Sequence, residues 1–239
     1  MSNELEGKRA LIVGAYGGMA KPVALALARE GVQCALVGRD EERLASLADA
    51  CADAGRPALP IVCDIAEFET IERTVSGAID KLGGLNFLMN FAGLYALGKG
   101  HDVDLEAWDR MLDVNVRAHY HLVRHALPHI NKLPGGAVIK IGSISGAYSG
   151  AGLHHAASRA LDGYADALFE DVREFGTKVC TIRPGYVNTP MVGSDSLDRS
   201  LMIQPDDIVR TILFVLTMPE TACPTEITIR PQRTPYRSP

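Results

Sequence analysis

The sequence predicts one α/β domain: a single doubly wound parallel sheet with helices on both faces. Three observations predict it. Short apolar runs recur without polar alternation, as strands buried on both faces require. Segments of helical periodicity separate these runs. The alternation runs from residue 9 to residue 229 without a linker, repeat or low-complexity stretch, so right-handed crossovers within one sheet account for it. At 239 residues the chain is within range for one such domain, 1–239.

The first expected strand is 9–13 (R-A-L-I-V), which ends in glycine. Similar runs follow at 34–37 (C-A-L-V), 59–63 (L-P-I-V-C), 87–90, 138–141 and 179–182 (V-C-T-I), with a last short strand at 227–229. Helices are expected over 21–30, 41–54, 67–82, 105–130, 156–175 and 205–216. Pro22 lies in the first turn of the first helix, where a missing N–H costs little. Asp102, Asp104 and Glu106 place negative charge near the positive dipole end of the fourth. Pro128 is expected to interrupt that helix near its end. The tail 231–239 (P-Q-R-T-P-Y-R-S-P) is read as a loose end or a strap on a partner subunit.

The net charge of −5 and the lack of a basic run argue against nucleic acid or an anionic membrane as partner. No apolar run reaches the ~18–20 residues that span a bilayer. The acidic start, Met1 to Glu6, does not resemble a signal peptide. Five cysteines without CxxC spacing fit reduced thiols in a cytoplasmic protein. His121, His125 and His129 recur every four residues on one helix. No carboxylate or cysteine cluster accompanies them, which favours packing or an interface over metal.

Residues 13–20, V-G-A-Y-G-G-M-A, join the first strand to the first helix. Gly14, Gly17 and Gly18 allow a tight turn and close approach to a phosphate, and the helix offers free N–H groups and its dipole. A glycine cluster alone fits an ordinary tight turn, but its place after the first strand of an alternating chain points to a dinucleotide site of the Rossmann type, with Tyr16 and Met19 in the turn. After the second strand comes Gly38-Arg39-Asp40. An NAD site places an acidic side chain at that strand end. Arg39 instead suits a 2′-phosphate, with Lys21 as a second cation, so NADP(H) is favoured over NAD(H).

With these residues in view, the chain resembles the short-chain dehydrogenase/reductase family over nearly its full length. The glycine turn is similar to the family's T-G-x-x-x-G-x-G, with Val13 for threonine and Ala20 for the last glycine. Asp64, followed by Ile65, matches the acidic residue at the adenine. Asn90-Phe91-Ala92-Gly93 resembles N-N-A-G, and Asn115 matches the asparagine of the family's catalytic tetrad. Ser143 matches the catalytic serine, and Pro184-Gly185-Tyr186-Val187-Asn188-Thr189 resembles the segment that packs on the nicotinamide, the threonine holding the carboxamide.

The resemblance fails at the catalytic helix. The family's Y-x-x-x-K is absent, and the best match is His155-Ala156-Ala157-Ser158-Arg159. His155 and Arg159 lie four apart, on one face of a helix. Aligning on Leu161 instead puts His154 and Ser158 at the two sites, and the sequence leaves both registers open. The resemblance implies an NADP-dependent oxidoreductase acting on a carbonyl or alcohol, with Asn115, Ser143 and His155 near the substrate and Arg159 on the ribose. The alternative is a catalytically inert or non-redox cofactor-binding relative. Leu94, Tyr95, Ser145, Tyr148, Leu153, Tyr186 and Met191 are expected to line a largely apolar pocket for a small molecule. Tyr148 also offers a phenol from another direction, and residues 191–203, with Gly193, Ser194 and Asp195, match the family's mobile lid. The resemblance further implies a homodimer or homotetramer through the helices at about 106–130 and 154–175.

Overall fold

A computed structural model describes residues 4–96, 98–144, 151–192 and 195–237. Seven strands, β1 Arg9–Val13, β2 Gln33–Gly38, β3 Leu59–Val62, β4 Phe87–Asn90, β5 Ala137–Ile141, β6 Lys178–Pro184 and β7 Glu226–Ile229, form one sheet. Their order is β3-β2-β1-β4-β5-β6-β7, and every pairing is parallel. The helices are α1 Ala20–Arg29, α2 Glu41–Ala54, α3 Phe68–Leu82, α4 Leu105–Leu112, α5 Ala118–Ile130, α6 Gly152–Val172 and α7 Pro205–Thr217.

The absence of polar alternation has its explanation in two cores. Along β1, Ile12 packs with residues of α1, α2 and α7, while Leu11 and Val13 pack with residues of α3, α5 and α6. Both faces of the strand therefore need apolar side chains. Local signals set the ends of helices. Asp40 accepts a hydrogen bond from the Arg43 N–H at the start of α2, and Gly83 ends α3 in the left-handed region at φ 74°. Gln204 and Asp207 form a reciprocal capping box at α7, with Pro205 in its first turn.

The helices differ from the sequence reading at three points. The expected single helix over 105–130 is two helices joined by a π-helical turn, Asp113–Arg117. Pro128 does not interrupt α5, which carries it inside its last turn and continues to Ile130. The helix expected from 156 begins at Gly152, so His154 and His155 are already helical, and a 3₁₀ turn, Arg173–Phe175, completes its far end.

The tail is not loose over its described part, and it straps its own chain. Leu197 and Tyr236 form an antiparallel bridge, Asp198 N–H donates to Pro235 O at 2.7 Å, and Arg237 N–H donates to Ser196 O at 2.9 Å. Among the described residues, no helix is long and apolar enough to cross a membrane.

Candidate active site

Strand order reverses between β1 and β4, which opens a crevice at their carboxyl ends. Three loops meet there, and Gly14 and Gly18 allow the close approach. Gly14 has φ +74°, and a Cβ on it would lie 2.9 Å from Ala92 N. A Cβ on Gly18 would lie 2.7 Å from the Thr189 side chain. Gly14 and Ala15 N–H groups both reach Val37 O, so the turn is tied to β2 as well. Met19 follows as the first residue of the turn into α1.

The β2 end is built around Tyr16. Its hydroxyl accepts from the Arg39 N–H at 3.1 Å, and its ring leaves no room for a side chain at Gly38. The Arg43 guanidinium lies 4.2 Å above that ring and donates to Tyr16 O. Arg43 escaped the sequence reading; the signal was a cation one turn into α2, beside Arg39. Lys21 is exposed on α1. Asp64, one residue beyond Cys63, holds Arg110 at 3.0 Å and Arg39 at 3.8 Å, and its Oδ1 accepts the Ala66 N–H. Ile65 beside it is buried.

Beyond β4 the loop is fixed by two asparagines. Asn90 Oδ1 accepts the Ala92 N–H at 2.9 Å. Asn115 lies in the π-helical turn and clamps Leu94, accepting its N–H at 2.7 Å and donating to its O at 2.9 Å. Gly93 lies against Asn115 Oδ1. A π-turn widens the helix by one residue and is often found at functional positions.

Beneath this loop is a group that sequence reasoning missed. Lys140, on β5, is buried and donates to Ala92 O at 3.0 Å. Burial lowers its pKa to about 7. His119, on α5, lies in the same interior, its pKa lowered to about 3 by burial first and then by Lys140. Asn90 Nδ2 is 3.3 Å from His119 Nδ1. The amide can only donate, because its oxygen already holds Ala92 N–H, so Nδ1 accepts and the ring is neutral with its proton on Nε2. An unalternating apolar run interrupted by one lysine was the only signal in the sequence.

On α6 the buried stripe is Ala157, Ser158, Leu161, Leu168 and Val172. His154 is four residues before Ser158 on that stripe, partly buried, and meets Tyr95 edge-on with ring centroids 4.7 Å apart. Burial first, then His155, lowers the His154 pKa. His154 Nδ1 is buried without a hydrogen-bond partner among the described residues. Arg159 points outward, 58% exposed, and pairs with Asp162 at 3.0 Å. His155 is partly buried on the next position round the helix. Ser143 follows β5, and its carbonyl accepts from Arg183 Nε at 3.4 Å, while Arg183 also binds Glu226.

Of the remaining expected residues, Pro184 is buried at the end of β6 and Val187 and Thr189 after it, and the Gly185 N–H donates to Ile229 O. Tyr186 shares a 2.6 Å hydroxyl contact with Tyr236 of the tail. Leu94 and Leu153 are partly buried, and Met191 is 69% exposed. Ser145, Tyr148, Gly193 and Ser194 lie outside the described residues. A cavity of about 410 Å³ lies at the opposite, amino end of the sheet. There the Lys178 ammonium donates to Leu216 and Met218 carbonyls at the end of α7, which accounts for its burial.

A dinucleotide fits the carboxyl-end crevice. At Gly14 and Gly18 any Cβ would strike Ala92 or Thr189, so the glycines let the turn pack against the neighbouring loops; the start of α1 provides N–H groups, and Arg39 and Arg43 flank the β2 end. Comparison with known proteins agrees. The profile of the family described as short chain dehydrogenase matches residues 8–200. An uncharacterized oxidoreductase of Staphylococcus saprophyticus is 31% identical over 231 residues, 95% of this chain and 99% of that protein. A short-chain dehydrogenase/reductase from Serratia marcescens superposes with a TM-score of 0.87 at 28% identity, covering 95% of this chain and 98% of that one. So does a short chain dehydrogenase from Burkholderia cenocepacia solved in complex with NADP, with a TM-score of 0.87 at 28% identity and the same coverage. Sequence, topology and crevice thus converge, and the chain belongs to the short-chain dehydrogenase/reductase family of nicotinamide-dependent oxidoreductases.

Proposed function

We propose that this chain uses NADP(H) to interconvert a carbonyl and an alcohol on a small, largely apolar substrate. The observation that carries the reading is the glycine turn before α1, where Gly14 and Gly18 let the backbone pack closely against Ala92 and Thr189 at the uncapped start of the helix. The arginine pair at 39 and 43 supports the 2′-phosphate form, as does the NADP bound by the Burkholderia relative. Bound there, the nicotinamide would supply or accept hydride at the substrate carbon.

The protein's part is to hold that carbon and manage the proton on its oxygen. Support for His154 as the proton-handling group comes from its place on the buried stripe, its contact with Tyr95 and its unpartnered Nδ1. Neutral at pH 7, its imidazole accepts the proton of an alcohol as hydride leaves; in the reverse direction the imidazolium donates it. Ser143 offers a hydroxyl to the same substrate oxygen, and Asn115 positions the Leu94 backbone at the pocket wall. His155 with Arg159 is less well supported, because the same helix phase that buries Leu161 turns Arg159 to solvent and to Asp162.

One observation favours a second reading, a cofactor-binding protein without redox turnover: α6 offers neither a phenol nor an amine at 154 and 158. Calorimetric titration with NADPH and with NADH, followed by a carbonyl and alcohol screen read by nicotinamide absorbance, separates the two. Selective NADPH binding with turnover supports the oxidoreductase. Tight binding without turnover across the screen supports the second reading, and folded protein that binds neither nucleotide sinks both.

A further inference from the structure

Buried lysines are rare, because an ammonium taken from water without a partner is costly. Lys140 is 5% exposed. Among the described residues no carboxylate pairs with it, and its recorded hydrogen bond goes to the backbone carbonyl of Ala92. That carbonyl belongs to the loop whose N–H closes over Gly14 in the cofactor crevice. The neighbours that face the amine from other elements, Asn90 of β4 and His119 of α5, are both neutral, for the hydrogen-bonding reasons given above. Of these three neighbours Lys140 is the one that carries positive charge, beneath the 90–94 loop.

The position has a counterpart on α6. Ser158 is buried on the stripe, one turn after His154, where alignment on Leu161 places the family's amine, and this chain has none there. Lys140 lies on the same face of β5 as Val138, in the layer covered by α5 and α6. We propose that Lys140 supplies, from the sheet, the buried cation of the nicotinamide-ribose half of the cofactor site, in place of the amine that α6 lacks at Ser158. The inference rests on the cofactor reading above. Lys140 is on this view a positioning residue: it holds the 90–94 loop through Ala92 O and sets the electrostatic character of the crevice floor.

The test uses the full chain and NADPH binding followed by nucleotide fluorescence, with circular dichroism to confirm folding. Lys140→Gln keeps a donor for Ala92 O and removes the charge; Lys140→Met removes both and suits a buried site should the amide fail to fold. The expected result is a loss of NADPH affinity of about 10- to 100-fold in both, the scale of a charge-assisted hydrogen bond. Adding Ser158→Lys to the Lys140→Gln protein is expected to recover most of that loss, which a merely structural lysine would not allow. Wild-type affinity in Lys140→Gln, or loss without recovery by Ser158→Lys, overturns the proposal while leaving the cofactor reading intact. Wild-type protein that binds neither NADPH nor NADH overturns both.

Discussion

Gly18 and Thr189 touch across the crevice: a Cβ on Gly18 would lie 2.7 Å from the Thr189 Cβ. The turn after β1 and the loop after β6 are thereby held at a spacing that leaves no room for a side chain at position 18. Gly18→Val is expected to push Thr189 out of its buried place, at about 1–3 kcal/mol of overpacking. NADPH affinity should drop by about tenfold or more with a modestly lower melting temperature. Unchanged affinity in a calorimetric titration would remove this contact from the site.

The arginines at the β2 end make a separable prediction. Arg39→Ala and Arg43→Ala should each weaken NADPH binding by about 10- to 100-fold and leave NADH binding within about twofold, since only the 2′-phosphate meets them. The Arg43 change carries an added cost, because its guanidinium also covers Tyr16. Equal losses for both nucleotides would show that the arginines hold the fold of the turn, not the phosphate.

Single substitutions distinguish the two registers of α6. His154→Gln is expected to lower kcat by about 10²-fold or more, the scale of a lost general acid–base group, with NADPH affinity retained. Arg159→Ala removes only an exposed pair with Asp162, worth about 0–1 kcal/mol, and should leave both kcat and NADPH affinity near wild type. A large loss in Arg159→Ala with an active His154→Gln would restore the register read from the local sequence.

Lys140 has a folded pKa of about 7 against an ordinary 10.5. Between these values the unfolded chain binds one more proton than the folded one, so this group makes stability rise with pH, by up to about 1.4 kcal/mol per pH unit. Below pH 7 both states are protonated and the burial penalty is fully felt. Lys140→Met should therefore raise the melting temperature most at pH 6, with the gain shrinking towards pH 10. A gain that does not vary with pH would mean that the amine is not perturbed.

The strands and the cofactor turn were legible because their signals are local. Ile12 and Leu11 are both apolar since two cores need them, and Gly14 precedes a helix within a few residues. The phase of α6 was legible only as two open registers, one from the spacing of His155 and Arg159 and one from alignment on Leu161, because the buried stripe also depends on Leu168 and Val172 far down the helix. Lys140 was passed over because one charge in an apolar run says nothing about which backbone carbonyl receives it. The strap of the tail depends on a bridge between residues 197 and 236, a distance that no local pattern encodes.

The π-helical turn at Asp113–Arg117 makes α4 and α5 one rod out of step with itself. One extra residue amounts to about 100° of rotation about the helix axis. Removing any single residue there would let a regular helix run through, yet would swing either the Asn115 amide or the whole α4 face about a quarter turn away from Leu94. The pocket wall is in that sense specified by how many residues precede it, and its most sensitive lesion is a one-residue deletion that leaves Asn115 and Leu94 themselves unchanged.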